Sequence, residues 1–159
     1  MIDVVLGKDK KFEELGKKLG FSRVISIDER FFKNPDRSIF ERKKNIVVYN
    51  LEEQKRDFIH FRNSGLNQVL CKLAKKNNIA VAFNFNLVLN NDEMSRSQIL
   101  GRMMQNVRFC RKYKVNTVIA SFASKPEEMR SAHDLISFGI SIGMHPKQAK
   151  ESLKYLERL

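Results

Sequence analysis

Tryptophan is absent from this chain of 159 residues, and cysteine, proline and glycine are scarce, with 2, 3 and 7 copies. Two cysteines cannot make a disulfide framework. Cys71 and Cys110 both fall inside apolar helical patterns, the setting of reduced core thiols in a cytosolic protein. With so little Gly and Pro, 42% hydrophobic and 30% charged residues, the composition excludes fibrous, low-complexity and disordered classes. No apolar run approaches the roughly 20 residues that cross a bilayer. Lys8, Asp9, Lys10 and Lys11 interrupt the amino terminus before a signal-peptide core forms. The expectation is a cytoplasmic protein with no membrane partner, folded as one domain over residues 1–159.

The most telling scarcity is of carboxylates in the middle of the chain. Overall there are 30 Lys and Arg against 18 Asp and Glu, a formal charge of +12. Residues 1–57 hold 14 basic and 11 acidic groups, and residues 127–159 hold five of each. Residues 58–126 hold 11 basic groups against only Asp92 and Glu93. Solvated surfaces normally mix signs, whereas a stretch nearly stripped of acid builds a one-sign field that attracts a polyanion. Nucleic acid is therefore the leading partner; a generically basic protein is the plain alternative.

Short β-branched runs at residues 2–6, 23–27, 45–49, 57–61, 79–83 and 117–121 read as strands. Helical spacing occupies residues 10–19, 65–77, 94–114, 131–142 and 146–157, and residues 28–44 read as a long loop or a short irregular helix. Alternation of strand and helix implies right-handed crossovers and a mostly parallel sheet, either a barrel or an open doubly wound fold. In both, ligands gather at the carboxyl ends of the strands. Ser95 with Gln98, and Ser131 with Asp134, have capping-box spacing. Gly143 followed by Pro146 separates the last two helices.

Two strand-to-helix junctions offer anion-binding chemistry. In HFRNSGLN, residues 60–67, Arg62 supplies a planar donor fork, and Asn63, Ser64 and Asn67 supply neutral donors beside a helix start. Ser64 as a helix cap and Gly65 as a turn residue account for the same pattern. In SFASKPEEMR, residues 121–130, the donors are Ser121, Ser124, Lys125 and Arg130, blunted by Glu127 and Glu128. On the 94–114 helix, a wheel at about 100° per residue places Ile99, Leu100, Met103, Met104, Val107 and Cys110 on one apolar arc. Gln105, Arg108 and Lys112 fall opposite, with Arg102, Phe109 and Tyr113 on the flank, so Arg102, Arg108 and Lys112 read as an outer basic stripe. Arg96 points coreward near the strand rim, and Arg111 borders the apolar arc. A merely solvated helix face is the alternative.

Catalytic signatures are missing. His60, His133 and His145 are scattered, paired carboxylates are lacking in the basic half, and there is no Walker sequence, dinucleotide turn or GxSxG elbow. A metal-dependent phosphoesterase on a related α/β barrel and a basic protein-interaction module both remain as alternatives.

HFRNSGLNQVLCKLAKKNNIAVAFNF and RSQILGRMMQNVRFCRKYKVNTVIASFASKPEEMRSAHDLISFGISIGM, within residues 57–150, are similar to the archaeal and eukaryotic ribonuclease P protein component 3, the thirty-kilodalton-type subunit family. The resemblance implies a TIM-barrel-like α/β fold, complete or as an incomplete barrel, because family members usually continue further. It implies a ribonuclease P subunit that binds the catalytic RNA in 5′-end maturation of precursor tRNA. It implies that the RNA performs cleavage with Mg2+, with no cofactor in this chain, and that the protein pairs with the ferredoxin-like component 2, meeting precursor tRNA indirectly. The family's turn maps to Arg62, Ser64, Gly65 and Asn67, its Arg-rich helix to Arg96, Arg102, Arg108 and Arg111, and its Ser-rich loop to Ser121, Ser124 and Arg130; Asp3 in the first strand is also familiar.

Overall fold

A computed structural model describes the chain except residues 55, 58 and 159. Six strands are found, β1 (Ile2–Val5), β2 (Arg23–Ser26), β3 (Phe31–Lys33), β4 (Val47–Tyr49), β5 (Ala80–Asn84) and β6 (Thr117–Ala120). The helices are α1 (Lys11–Lys18), α2 (Arg37–Arg42), α3 (Gln68–Lys76), α4 (Phe85–Leu89), α5 (Glu93–Tyr113), α6 (Ala132–Ser141) and α7 (Pro146–Lys154), with short 3-10 turns at Pro126–Glu128 and Tyr155–Arg158. Every ladder is parallel: β1 pairs with β2, and β3, β4, β5 and β6 follow in that order. The two sheets meet where Phe122 N–H donates to Val4 C=O at 2.7 Å and Leu6 N–H to Ala123 C=O at 2.9 Å. The parallel strands with outer helices follow the strand–helix alternation, and their TIM-barrel-like arrangement is the one the family resemblance implies. No ladder among the described residues joins β2 to β3, which follow each other directly in the chain.

At β1, β4, β5 and β6 both faces of the wall are buried, while β2 and β3 are only partly covered; the side chains alternate between the faces as the two-residue period requires. Val4, Val47, Tyr49, Ala80, Ala82, Val118, Ala120 and Phe122 share one interior cluster. The alanines of β5 and β6 leave room there for the larger rings. Tyr49 stacks on Phe122 at 4.9 Å between centroids, and Phe31 meets Phe122 edge-on at 6.5 Å. The alternate residues Val48, Val81, Phe83 and Ile119 face outward into a second cluster with Cys71, Met103, Val107, Cys110, Leu135 and Leu153 of the helices. Both cysteines are free thiols with no exposed surface, and burial pushes the Cys71 thiol up to about 12.

Two sequence expectations change. The run at 57–61 is not a strand at its described residues, and Phe58 lies outside them. β4 pairs directly with β5, Val47 opposite Ala80 and Tyr49 opposite Ala82, so the sheet has no slot for a strand between them. Ile59 and Phe61 are consequently 95% and 63% exposed. The stretch 28–44 holds the short helix α2, one of the two readings given for it, and also supplies β3, whose Phe31–Lys33 pair with Val47–Tyr49 and which the sequence reading missed.

Capping also changes for the long helix. Asp92, not Ser95, caps α5: its Oδ1 accepts from Met94 and Ser95 N–H at 3.1 and 3.0 Å, and its Oδ2 accepts from Ser95 Oγ at 2.8 Å. A carboxylate at a helix start is favoured by the helix dipole as well as by the bonds. Those bonds, the one from Ser95 first, hold Asp92 below its ordinary pKa. The Ser131–Asp134 box forms as read, and Pro146 opens α7 behind His145. No described helix is long and apolar enough to cross a membrane.

Candidate functional site

Residues 50–67 connect β4 to α3 as a long loop strapped onto α5. Loops of this length are usually functional or disordered; this one is held by buried polar bonds. Asn106, on α5, donates from Nδ2 to Glu52 Oε1 at 2.7 Å and to Ser64 C=O at 2.8 Å. Arg102 donates to Glu52 C=O at 3.0 Å, Gln54 C=O at 2.9 Å and Asp57 Oδ1 at 3.0 Å. Glu52 is wholly buried with Oε2 unbonded, and desolvation raises its carboxyl to about 7. Burial also pushes Asp57 upward, but bonds from Asn63 N–H and Arg102 outweigh it, leaving a net lowering. Gly65 adopts φ +76°, and a Cβ there would stand 2.1 Å from Leu51 O, so this turn requires glycine.

The strap sets Arg62 against α5. Its Nη1 donates to Gly101 C=O at 2.9 Å, and Gln105 Nε2 donates back to Arg62 C=O at 3.2 Å. Arg62, Gly101, Met104, Gln105, Arg108, Phe109 and Lys112 line a cleft of ≈ 400 Å³. A second cleft of ≈ 680 Å³ shares Arg62, Gln105 and Phe109 and runs past Phe61, Asn63 and Asn67. The first cleft holds three cations and no carboxylate; the second holds one carboxylate, Asp36, whose Oδ1 accepts from Ser38 Oγ and Ile39 N–H. Within the sequence's basic segment, exposed cations gather around this cleft, and Lys72, Lys75 and Lys76 of α3 form another exposed basic group.

The predicted site residues divide sharply. Arg62, Arg108 and Lys112 come together and are exposed. Arg111 is exposed on α5 and donates to Gly143 C=O at 3.3 Å. Arg102 does not belong to an outer stripe: it is 3% exposed and ion-paired with Asp57 at 2.9 Å. The wheel placed it on the flank, but the 50–67 loop covers that flank. Ser64 is buried at 1% and meets no solvent anion; its carbonyl serves Asn106. Asn67 caps α3, accepting Leu70 N–H at 2.9 Å, so its oxygen is used as an acceptor inside the helix start. Arg96 is half-buried and ties off α4, donating to Val88 C=O at 3.0 Å and Asn91 C=O at 2.9 Å.

The 121–130 junction is closed by its own acid. Glu128 Oε2 accepts from Ser124 and Lys125 N–H at 2.8 and 3.3 Å, taking these backbone donors of the turn, while the Ser124 and Lys125 side chains stay exposed. Ser121 is buried and donates to Asp3 Oδ2 at 2.7 Å, while its N–H donates to Asp3 Oδ1 at 2.7 Å. Arg130 donates to Met129 C=O at 2.8 Å and lies 5.5 Å over the Phe85 ring. Of the two junctions, the first brings Arg62 to the cleft on α5, and the second keeps Ser124 and Lys125 exposed beside Glu128. Sequence reasoning missed Phe61 and Met104 as surface residues and Gly101 as the buried backbone beneath Arg62; Met104 is 42% exposed although the wheel put it in the core. An aromatic set among basics, Arg108, Phe109, Lys112, was the available signal. Among the described residues no group of three or more His, Cys, Asp or Glu is placed to hold a metal ion.

Comparison with known proteins agrees with this architecture. The family model described as RNase P subunit p30 matches residues 56–159. Ribonuclease P protein component 3 of Thermococcus kodakarensis is 34% identical over 97 residues, covering 61% of this chain and 44% of that protein. The protein of the same name in Methanosarcina acetivorans is 30% identical over 92 residues, covering 58% and 38%. The matched stretch thus spans less than half the length of these curated relatives. A chain in a cryo-EM structure of archaeal ribonuclease P with mature tRNA shares the fold with a TM-score of 0.73 at 17% identity, over 99% of this chain and 89% of that one. With the family model matching most of its residues, the chain belongs to the RNase P subunit p30 family.

Proposed function

We propose that this chain is an RNA-binding protein subunit of ribonuclease P, supporting the RNA in 5′-end maturation of precursor tRNA. The observation that carries the reading is the α5 face, where Arg62, Arg108 and Lys112 surround a cleft free of carboxylates. Cations held this way neutralise backbone phosphates and release counterions, which helps a highly charged RNA hold a compact active shape. In this reading the cleavage chemistry and its Mg2+ stay with the RNA. The protein works beside component 2 and meets the tRNA through the assembled particle. Structured RNA is met mainly through phosphate, 2′-OH and shape, in keeping with a site built of Arg and Lys.

The test is reconstitution of precursor tRNA cleavage from the RNA and component 2, with and without this chain. Cleavage rising on its addition, and falling again with Arg108→Glu but not with Lys150→Glu, supports the reading. Lys150 is exposed on α7, within the neutral C-terminal stretch. Equal losses from both substitutions would refute the role of the α5 face. Hydrolysis of a simple phosphodiester by the purified chain alone would favour the phosphoesterase alternative.

A further inference from the structure

We propose that the cleft over Gly101 seats one unpaired RNA nucleotide, its base against Phe109 and the Arg62 guanidinium and its phosphate on Arg108 and Lys112. This rests on the RNA-binding reading above and goes beyond it, since phosphate neutralisation alone needs no flat walls. Gly101 is the starting point. A glycine inside a helix is less stable than alanine there, yet Gly101 sits mid-way along α5. A Cβ at that position would stand 2.7 Å from Arg62 Cζ, so the missing side chain is what lets the guanidinium lie down on the helix backbone. Its bond to Gly101 C=O then holds the cation against that backbone.

Opposite chemistry is assembled around it. Phe109 contributes a ring that stacks at 6.4 Å on Tyr113, and Lys112 Nζ lies 5.6 Å over that same Tyr113. Met104 adds a polarizable thioether, exposed to solvent. Arg108 and Lys112 stand one helical turn apart as like charges, an unfavourable pair until an anion lies between them. Aromatic and guanidinium faces take any base by stacking, and adjacent cations take its phosphate. A peptide helix would need a continuous apolar strip, and here Arg62, Arg108 and Lys112 interrupt it.

Binding of the full chain is measured to an oligouridylate of about ten nucleotides, the length single-strand sites commonly cover, and to an abasic ribose-phosphate oligomer of equal length. The uridylate is expected to bind about 5-fold tighter or more, the usual range for one stacked base. Phe109→Ala should abolish that difference. Gly101→Ala should abolish it too, by lifting Arg62, while favouring the helix and keeping every charge; it covers the case in which Phe109→Ala unfolds. Arg108→Gln should lower the salt slope by about one for both oligomers. Equal affinity of the two oligomers for the unaltered chain, or a uridylate advantage that survives Gly101→Ala, overturns the nucleotide seat and leaves the phosphate reading standing. Failure of both oligomers to bind removes the RNA-binding reading itself. Binding of a polyglutamate peptide instead, lost with Phe109→Ala, would assign the cleft to an acidic protein segment.

Discussion

Glu52→Gln should make this protein more stable at pH 8 and nearly unchanged at pH 5. The carboxyl is fully enclosed, accepts one bond from Asn106 and leaves Oε2 without a partner. Desolvation raises it from 4.5 to about 7 in the folded chain. Between those values the folded state keeps a proton that the unfolded state has released. Stability is then fully present below about pH 4.5 and is lost as pH rises toward and through 7. A raise of this size corresponds to roughly 3 kcal/mol in all, most of it between pH 5 and 8. The amide keeps the acceptor for Asn106 and never ionises, so it removes this slope. Asp3, raised by burial to about 6 despite its bonds from Ser121, adds a second slope of the same sign at lower pH. Comparing wild type with Glu52→Gln in an Asp3→Asn background separates the two. The assay is urea unfolding followed by circular dichroism at half-unit pH steps. Parallel stability profiles with and without the Glu52 carboxylate would show that its charge is not buried in solution. The 50–67 loop would then not be strapped on α5 as described.

Other perturbations report on the same strap and on the core. Arg102→Ala should cost about 2–4 kcal/mol, since it strips the buried Glu52 carbonyl and the Gln54 carbonyl of a donor and removes the ion pair with Asp57, which keeps its bond from Asn63 N–H; chemical denaturation measures it, and a loss under 0.5 kcal/mol would contradict the pairing. Gly65→Ala should destabilise by more than 1 kcal/mol because its φ is +76° and Leu51 O blocks a Cβ, read as a fall in thermal midpoint. Phe122→Ala, at the centre of the strand-lined interior, should cost about 3–5 kcal/mol, again from denaturant midpoints. RNA affinity should drop far more for Arg108→Glu than for Arg96→Gln, because Arg96 is spent on the carbonyls that end α4; filter binding at two salt concentrations decides it.

Local patterns alone were enough to place most of the elements. β1, β2, β4, β5 and β6 and the five longer helices occur where β-branched runs and helical spacing put them, because those periods follow from backbone geometry that every neighbour shares. The run Asp57 to Phe61 shows the limit: its composition is strand-like, yet Tyr49 and Ala82 are already partners across the gap. Which strands pair is a property of the whole sheet, not of any run within it.

The candidate site divides along the same line. The excess of Lys and Arg over residues 58–126, and with it the expectation of a polyanionic partner, came from amino-acid content alone. Which of those cations reach solvent did not. Glu52 and Asp57 come from the mixed-charge N-terminal part, and folding lays them against α5, where Asp57 pairs with Arg102 and Glu52 anchors Asn106. Glu128 likewise closes the 121–130 turn on itself. Charge along a chain adds up regardless of conformation, whereas ion pairing depends on distances of a few ångströms between residues far apart in order. Only the tertiary packing of α5 against the 50–67 loop could therefore select Arg62, Arg108 and Lys112 and place them around the bare backbone of Gly101.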